Sequence, residues 1–270
     1  MIIIRLAGGL GNQIFQLSAG LLLASKFKYI KIILDDGALS AYDEKRESEL
    51  LGFFNLSKLK IEINFRNSAF IKVRVPRLLP LKVSKYPFVS DKNFQYILNN
   101  SNKYFLLLDG YFQESLTQQN FDKGIKILKD AFIQKNLEKK DGCVVHIRGG
   151  DFVKLGWNSI TPKEYYIKAI ETMQLKYNQT KFYIVTDDRI YSKSVLDNIN
   201  IDYKFIGNSI YEDFHLLGSF KYRILSASTF ALWASALGVN DGGGVVIAPN
   251  EFTPGIKRDF LLPNERRSNA

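Results

Sequence analysis

Residues 143–151, near the middle of the chain, bring together side chains that could bind an anion. The first five are mostly apolar and β-branched, with glycine on either side, so they predict a short buried strand. His146, Arg148 and Asp151 fall at its carboxyl end. The carboxyl edge of a parallel sheet is where ligands bind, and an arginine there can hold two phosphate oxygens. The alternative is a surface ion pair between Arg148 and Asp151, with His146 as a buried core imidazole.

Two other predicted strands end in polar residues that could join this site, namely Asp187 and Asp188 after one and residues 226–230 after another. The hydroxyls of Ser228 and Thr229 could cradle an anion at a helix N-terminus, or either could be only an N-cap. The two aspartates permit three interpretations, which stay open here. They could accept the N–H groups of a guanine, bind a divalent metal, or stabilise a helix N-terminus without a ligand.

The amino-terminal segment imitates a dinucleotide-binding unit. The first residues predict a buried strand, Gly9 and Gly11 lie in the turn after it, and apolar residues at helical spacing follow. A second strand, predicted at residues 29–34, ends at two aspartates. Ile14 occupies the third glycine position of the pattern, where a side chain obstructs packing of helix on strand. An NAD-type oxidoreductase is therefore the least favoured alternative, and Asn12 could be a simple helix cap.

Alternating elements predict an α/β protein with parallel sheets covered by helices. The second half predicts strands at 143–147, 181–186, 203–206, 222–225 and 245–248, and helices at 161–177, 191–199, 209–220 and 228–237. Thr161 and Glu164 form the pattern of a capping box at the first of these helices.

The first half is less regular. A strand is predicted at 104–108 and a helix at 121–134, whereas residues 41–102 predict irregular structure with one amphipathic piece near 50–59. The charged connector at 135–141 predicts a boundary between domains 1–138 and 139–270.

Composition narrows the classes of partner. The 270 residues carry a formal charge of +10, which favours an anionic partner such as a nucleotide phosphate, and its even spread argues against a nucleic-acid arm. One cysteine and two histidines predict no structural metal site. No secretory signal and no apolar stretch of about 18 residues is found, which predicts a cytoplasmic protein, with room for peripheral contact with an anionic membrane.

Five motifs follow one another along the chain. They are Gly8-Gly9-Leu10-Gly11-Asn12-Gln13-Ile14-Phe15-Gln16, Gly110-Tyr111-Phe112-Gln113, His146-Ile147-Arg148-Gly149-Gly150-Asp151-Phe152, Thr186-Asp187-Asp188 and Ser228-Thr229-Phe230-Ala231-Leu232-Trp233. Their types and order resemble the α-1,2-fucosyltransferases of glycosyltransferase family 11. The resemblance implies transfer of L-fucose from GDP-β-L-fucose to the 2-hydroxyl of a galactoside, with inversion and with no metal or cofactor. It also implies a GT-B fold, in which two Rossmann-like domains face each other across a cleft and the C-terminal one holds the GDP-sugar.

The resemblance further implies roles for individual residues. The donor-binding set is His146, Arg148, Asp151, Asp187, Asp188, Ser228, Thr229 and Phe230, and the acceptor-side set is Gly9, Gly11, Asn12, Gln13, Tyr111 and Gln113. Arg148 and Asn12 are the expected catalytic residues, with Arg148 stabilising the charge on the leaving phosphate. The general base stays open among Glu114, Asp35 and Asp36. The expected acceptor is a galactose-terminated or lipid-linked oligosaccharide of a bacterial surface glycan such as an O-antigen, made at the inner face of the cytoplasmic membrane.

Two positions depart from the family pattern. Gly149 stands where a second arginine is expected, and Ala227 stands where an asparagine usually precedes Ser-Thr-Phe. Losing a guanidinium predicts weaker pyrophosphate binding, or transfer of that duty to another residue such as Arg5. The departures leave open a related transferase with another sugar-nucleotide donor and a non-catalytic nucleotide or nucleic-acid binding protein.

Overall fold

Each half of the chain builds its own parallel sheet. The computed structural model describes residues 1–28, 31–37, 39, 48–59, 61–66, 88–100, 105–134, 140–238 and 243–266. The chain divides into two compact units, Met1–Ile133 and Gln134–Ala270. The domain boundary predicted after residue 138 lies outside the described residues.

The described residues of the first unit form a five-stranded sheet with helices around it. Its elements are β1 (Ile2–Arg5), α1 (Leu10–Phe27), β2 (Lys31–Asp35), α2 (Leu50–Phe53), β3 (Glu62–Arg66), β4 (Phe88–Val89), α3 (Phe94–Asn100), β5 (Leu106–Leu108) and α4 (Gln118–Ala131). The strand order is β3-β2-β1-β5-β4, and every neighbouring pair is parallel. The isoleucines of β1 are buried because this central strand is covered on both faces.

The second unit repeats the plan more regularly. Its described elements are β6 (Lys140–Ile147), α5 (Asp151–Lys154), α6 (Lys163–Tyr177), β7 (Lys181–Thr186), α7 (Arg189–Leu196), β8 (Asp202–Phe205), α8 (Ile210–Ser219), β9 (Phe220–Ile224), α9 (Thr229–Leu237), β10 (Val245–Ile247), β11 (Glu251–Thr253) and β12 (Ile256–Lys257). The main sheet has the order β10-β9-β6-β7-β8 and is parallel throughout, while β11 and β12 form a separate antiparallel pair. The buried run at 143–147 lies in β6 at the centre of this sheet, as its composition predicts.

In each sheet, the strand that comes first in the sequence of its unit, β1 or β6, is central. The next strand, β2 or β7, lies on one side, and a later strand, β5 or β9, lies on the other. The strand order reverses there, so the connecting loops diverge and leave a crevice at the carboxyl edge where ligands bind. The two candidate ligand-binding edges are therefore the carboxyl ends of β1 and β5 and of β6 and β9.

The predicted α/β class with parallel sheets is confirmed, but several local predictions are wrong. Within residues 41–102, the structure contains β3, β4 and α3, where irregular structure was predicted. The strand predicted at residues 29–34 is β2, which ends one residue later, and residues 29 and 30 lie outside the described residues. None of the helices in the described ranges is long and apolar enough to cross a membrane.

The capping box predicted at Thr161 does not form. The N-cap of α6 is Pro162, and no side-chain hydrogen bond caps the helix. Thr161 is buried instead, and its Oγ1 accepts a 3.5 Å hydrogen bond from the hydroxyl of Tyr166. Burial of Thr161 against the helix thus replaces the cap that its sequence position predicts.

Candidate active site

Arg148 lies directly after β6 and is held by two carboxylates. Its Nη1 is 2.8 Å from Asp187 Oδ2, its Nη2 is 2.6 Å from Asp151 Oδ1, and its guanidinium lies 5.6 Å from the centre of the Phe152 ring. The ion pair with Asp151 that the sequence offered as the alternative to a ligand site is therefore present. The Arg148 side chain is nevertheless 30% exposed, so an anion in solution can reach it.

The two glycines after Arg148 form a turn tied to the end of β7. Gly149 N–H donates to Asp187 Oδ1 at 2.8 Å, and Gly150 N–H donates to Asp188 Oδ2 at 3.4 Å. Gly150 has φ 51° and ψ −118°, a conformation that is open mainly to glycine. A Cβ at Gly149 would collide with the Cβ of Asp188. Position 149 thus has no room for the side chain of a second arginine in this conformation.

Asp188 stabilises the start of α7. Its Oδ1 accepts hydrogen bonds from the backbone N–H groups of Ile190 and Tyr191 at 3.1 and 2.9 Å. These bonds, that from Tyr191 above all, hold the pKa of Asp188 below its usual range. Of the three interpretations of the aspartate pair, the structure places Asp188 at a helix N-terminus and Asp187 against Arg148. Within the described ranges, no three His, Cys, Asp or Glu side chains converge closely enough to hold a metal ion.

His146 joins the two central strands at their carboxyl ends. Its Nδ1 lies 2.7 Å from Ser226 Oγ, just beyond β9, and both side chains are buried. Burial, with a smaller contribution from the positive charge of Arg148, lowers the pKa of His146 to about 3, so the ring is neutral at pH 7. The structure thus shows His146 as a buried imidazole, the alternative that the sequence offered, and its predicted phosphate contact stays a prediction. Its partner Ser226 belongs to the polar segment 226–230.

The N-terminus of α9 lies beside this pair. Ser228 is its N-cap, with Oγ accepting from Ala231 N–H at 3.4 Å, while Thr229 and Phe230 are partly exposed. The Phe230 ring lies 6.2 Å from that of His146, so the predicted donor residues 146 and 230 do come together. Ala227 is fully buried, and the methyl group occupies the place of the expected asparagine.

Asp213 on α8 is a candidate that the sequence prediction missed. Its Oδ1 is buried, and no described residue provides it with a hydrogen-bond partner. Burial first, and then the neighbouring Glu212 carboxylate, raise the pKa of Asp213 to about 6, although Arg189 opposes the shift. It packs so closely on Gly207, after β8, that a Cβ there would collide with it. The only signal in the sequence was the acidic pair Glu212-Asp213, which follows the strand predicted at 203–206.

Amides dominate the corresponding edge of the first unit. Gln113 Nε2 donates to Asn12 Oδ1 at 2.8 Å, and Gln13 Nε2 donates to the carbonyl oxygen of Gly8 at 3.1 Å. Gly9, not Asn12, is the N-cap of α1, so the interpretation of Asn12 as a cap is wrong. Gly11 is buried in the first turn of this helix. The predicted acceptor-side residues 12 and 113 are thus in direct contact.

The loop after β5 is held in an unusual conformation. Phe112 has φ 58°, which is uncommon for a bulky residue, and its ring is buried 5.4 Å from that of Phe94. Tyr111 N–H donates to Asp91 Oδ2 at 3.1 Å, and the Tyr111 side chain is exposed. Burying Phe112 thus turns Tyr111 outwards and leaves Gln113 to meet the first turn of α1.

Arg5, which the sequence offered as a substitute for the second arginine, is itself paired with a carboxylate. Its Nη1 lies 2.6 Å from Asp109 Oδ2, which joins the ends of β1 and β5. Among the carboxylates considered as a general base, Glu114 is exposed, while Asp35 is buried and its Oδ1 accepts from Gly37 N–H at 3.1 Å. Asp109 was not considered as a base from the sequence. Its pairing with Arg5 follows from the pairing of β1 with β5, which the sequence did not show.

Two solved structures that resemble this chain over most of its length hold GDP-fucose or GDP. POFUT1 in complex with GDP-fucose matches with a TM-score of 0.54 at 11% identity, over 93% of this chain and 97% of the other. Arabidopsis thaliana FUT1 in complex with GDP matches with a TM-score of 0.50 at 14% identity, over 88% of this chain and 68% of the other. The predicted GT-B fold class is confirmed by this likeness.

The family is shown by sequence. The model of glycosyl transferase family 11 matches residues 1–259, and the chain belongs to that family. An alpha-1,2-colitosyltransferase of Escherichia coli is 31% identical over 97% of this chain and 94% of its own length. The O-antigen biosynthesis glycosyltransferase WbnK of Escherichia coli is 27% identical over 95% and 96%. The chain is thus a glycosyltransferase, and the oxidoreductase alternative is wrong.

Proposed function

We propose that this glycosyltransferase moves L-fucose from GDP-β-L-fucose to the 2-hydroxyl of a galactoside, with inversion and without a metal ion. The observation that carries the proposal is the exposed Arg148 guanidinium at the central carboxyl edge of the second sheet, in a chain of family 11. Its acceptor would be a galactose-terminated or lipid-linked oligosaccharide of a surface glycan, used at the cytoplasmic face of the membrane.

Arg148 would bind the diphosphate of the donor. As the acceptor oxygen attacks the anomeric carbon, the bond to the diphosphate breaks and negative charge grows on GDP. A fixed guanidinium at that position stabilises this charge in the transition state, a role that a divalent metal has in other enzymes. The neutral His146 and its partner Ser226 would keep the edge of the sheet rigid behind the phosphates.

Asp213 would select the base. Guanine presents two adjacent N–H donors, and a carboxylate can accept both in a forked arrangement. The Asp213 side chain is partly exposed, and its Oδ1, which is buried against Gly207 without a partner, would gain a donor if the base moves the turn at Gly207. Adenine lacks this pair of donors, so the arrangement favours GDP over ADP.

The first unit would bind the acceptor. The contacting amides of Asn12 and Gln113 can exchange hydrogen bonds with sugar hydroxyls, and the exposed ring of Tyr111 can pack on a sugar face. Asn12 would act by orienting the reacting hydroxyl. A second candidate is transfer of a different GDP-linked deoxy sugar, which the 31% identity to an alpha-1,2-colitosyltransferase favours.

The test is a transfer assay with purified protein, galactose-terminated acceptors and a panel of GDP-sugars, with and without a strong chelator. Equal formation of an α-1,2-fucosylated product in both conditions is the expected result. Activity that is lost with the chelator would overturn metal independence, and transfer from another GDP-sugar alone would establish the second candidate. GDP binding without transfer to any acceptor would leave only a nucleotide-binding protein.

A further inference from the structure

Both ends of the Arg148 guanidinium are already bonded to carboxylates. Nη1 lies 2.8 Å from the Asp187 carboxylate, and Nη2 lies 2.6 Å from the Asp151 carboxylate. A guanidinium has five N–H donors, so further donors remain, but a diphosphate held on the edge shared by Nη1 and Nη2 meets both carboxylates there. Binding on that edge competes with the carboxylate that is more weakly held.

The two carboxylates differ in how firmly they are held. The Asp187 side chain is 33% exposed, and its second oxygen accepts from Gly149 N–H, so its release would also free the turn. The Asp151 side chain is 51% exposed and belongs to α5, a helix of only four residues. Within the described part of the chain, the pair with Arg148 is the one hydrogen bond of the Asp151 carboxylate. Asp151 is therefore the partner that can leave at little cost.

The charges around Arg148 favour this departure. One guanidinium faces Asp151 and Asp187, and Asp188 lies directly behind the same turn, so the local balance is negative. An anion that enters while all three carboxylates stay in place is repelled. Because Gly149 has no room for a second arginine, outward movement of Asp151 is the local change that improves this balance.

We propose that Asp151 is a displaceable carboxylate that competes with the donor diphosphate for Arg148. It yields to the more highly charged diphosphate on binding and returns to Arg148 as GDP departs. The affinity for GDP is thereby limited, and product release is promoted. This inference rests on the proposed function, since it takes the ligand to be a nucleoside diphosphate, and it makes Asp151 a positioning residue that acts through Arg148.

The experiment measures Kd for GDP and for inorganic pyrophosphate by titration calorimetry in three matched variants. Asp151→Asn should bind both about three- to tenfold more tightly, because a partly exposed ion pair has to be broken in the native chain. Asp187→Asn should bind them at least roughly tenfold more weakly, because it loosens the turn and the guanidinium. Asp202→Asn, the same change at the exposed amino end of β8, should stay within about twofold of the native value.

Two further readouts separate competition from a structural role. With donor, Asp151→Asn should lower both KM and kcat, since slower GDP release limits turnover, whereas simple misfolding would lower kcat and the melting temperature alone. In an Arg148→Lys background, Asp151→Asn should lose most of its effect on GDP affinity, because lysine offers the diphosphate no forked contact for which Asp151 could compete.

The outcomes distinguish the inference from the function on which it rests. GDP binding that is unchanged or weaker in Asp151→Asn overturns the competition while leaving the transferase proposal intact. Native protein that binds pyrophosphate with the predicted variant pattern, but does not prefer GDP to ADP, supports the competition and overturns the proposed donor. Equal gains in GDP affinity in Asp151→Asn and Asp202→Asn would mean that the change in net charge alone explains the effect, and would overturn the inference.

Discussion

The two sheets place an arginine at nearly the same point and use it differently. Arg5 ends β1 and pairs with Asp109 on the β5 side, so the ion pair lies across the point where strand order reverses. Arg148 follows β6 and pairs with Asp187 on the opposite side, beyond β7. In the second unit the neutral contact between His146 and Ser226 spans the reversal point instead. One edge is thus bridged by an ion pair, whereas the other is bridged by a neutral contact and keeps its guanidinium to one side of the reversal point.

The comparison teaches that exposure alone does not distinguish the two arginines, whose side chains are 25% and 30% exposed, and that the groups around each edge do. The first unit offers amides and an exposed tyrosine, which suit uncharged hydroxyl groups, while the second offers a reachable cation and a buried carboxylate. The proposed division between acceptor and donor follows from these differences in chemistry.

The largest predicted effect is the loss of transfer when Arg148 is removed. Arg148→Ala should lower kcat/KM for transfer by about 100- to 1000-fold, the loss typical when one stabilising donor is removed from an active site. Arg5→Ala should leave GDP affinity unchanged and cost about 1 kcal/mol of stability or less, since its ion pair is partly exposed. Transfer and GDP-binding assays of both variants test the comparison between the two arginines directly. Equal losses of GDP binding in both would contradict it.

The next effect concerns the base. Asp213→Asn should weaken GDP binding by roughly 10- to 100-fold, because charged acceptors give the stronger hydrogen bonds, with little change for ADP. Calorimetry with both nucleotides measures this ratio. An equal loss for GDP and ADP would mean that Asp213 supports the fold and does not read the base.

The same residue predicts a pH dependence. Since burial raises the pKa of Asp213 to about 6, the carboxyl becomes neutral below that value and can no longer accept two N–H donors. GDP affinity should therefore fall as the pH drops through about 6. The raised pKa also means that ionised Asp213 destabilises the fold at neutral pH and that protonation relieves this cost. A GDP titration series between pH 5 and 8 should show the decline in the native chain and a flat profile in Asp213→Asn.

A smaller effect, on stability, is expected at the turn. Gly149→Ala should lower the free energy of unfolding by about 1 to 3 kcal/mol, because its Cβ collides with Asp188. Gly52→Ala is the matched control, as a Cβ there meets nothing within 4 Å. Denaturant unfolding of both variants should show a loss at position 149 and none at position 52.

The smallest effect tests the first unit. Gln113→Ala should raise KM for the acceptor by roughly three- to tenfold through loss of one hydrogen bond of about 1 kcal/mol. The Kd for GDP should not change. An altered GDP affinity with an unchanged acceptor KM would reverse the assignment of the two edges.

Local patterns predicted much of this arrangement. The β-branched run before Arg148 identified a buried strand, and the family resemblance placed Asn12 and Gln113 in one acceptor-side set. The two-residue β4 is too short to show periodicity, so it was missed. The contact of Arg148 with Asp187 and the packing of Asp213 on Gly207 were not predicted either. Each involves residues that only strand order and helix packing bring together.

The close packing of Gly149 on Asp188 also makes the order of substitutions important in evolution. A change of Gly149 to arginine is blocked by the Cβ of Asp188, which every residue except glycine carries, and glycine at 188 would remove the side-chain cap of α7. Each single step is therefore expected to cost stability. Descendants of this sequence are therefore expected to keep a single arginine here unless both positions change together, and to improve donor binding through residues elsewhere.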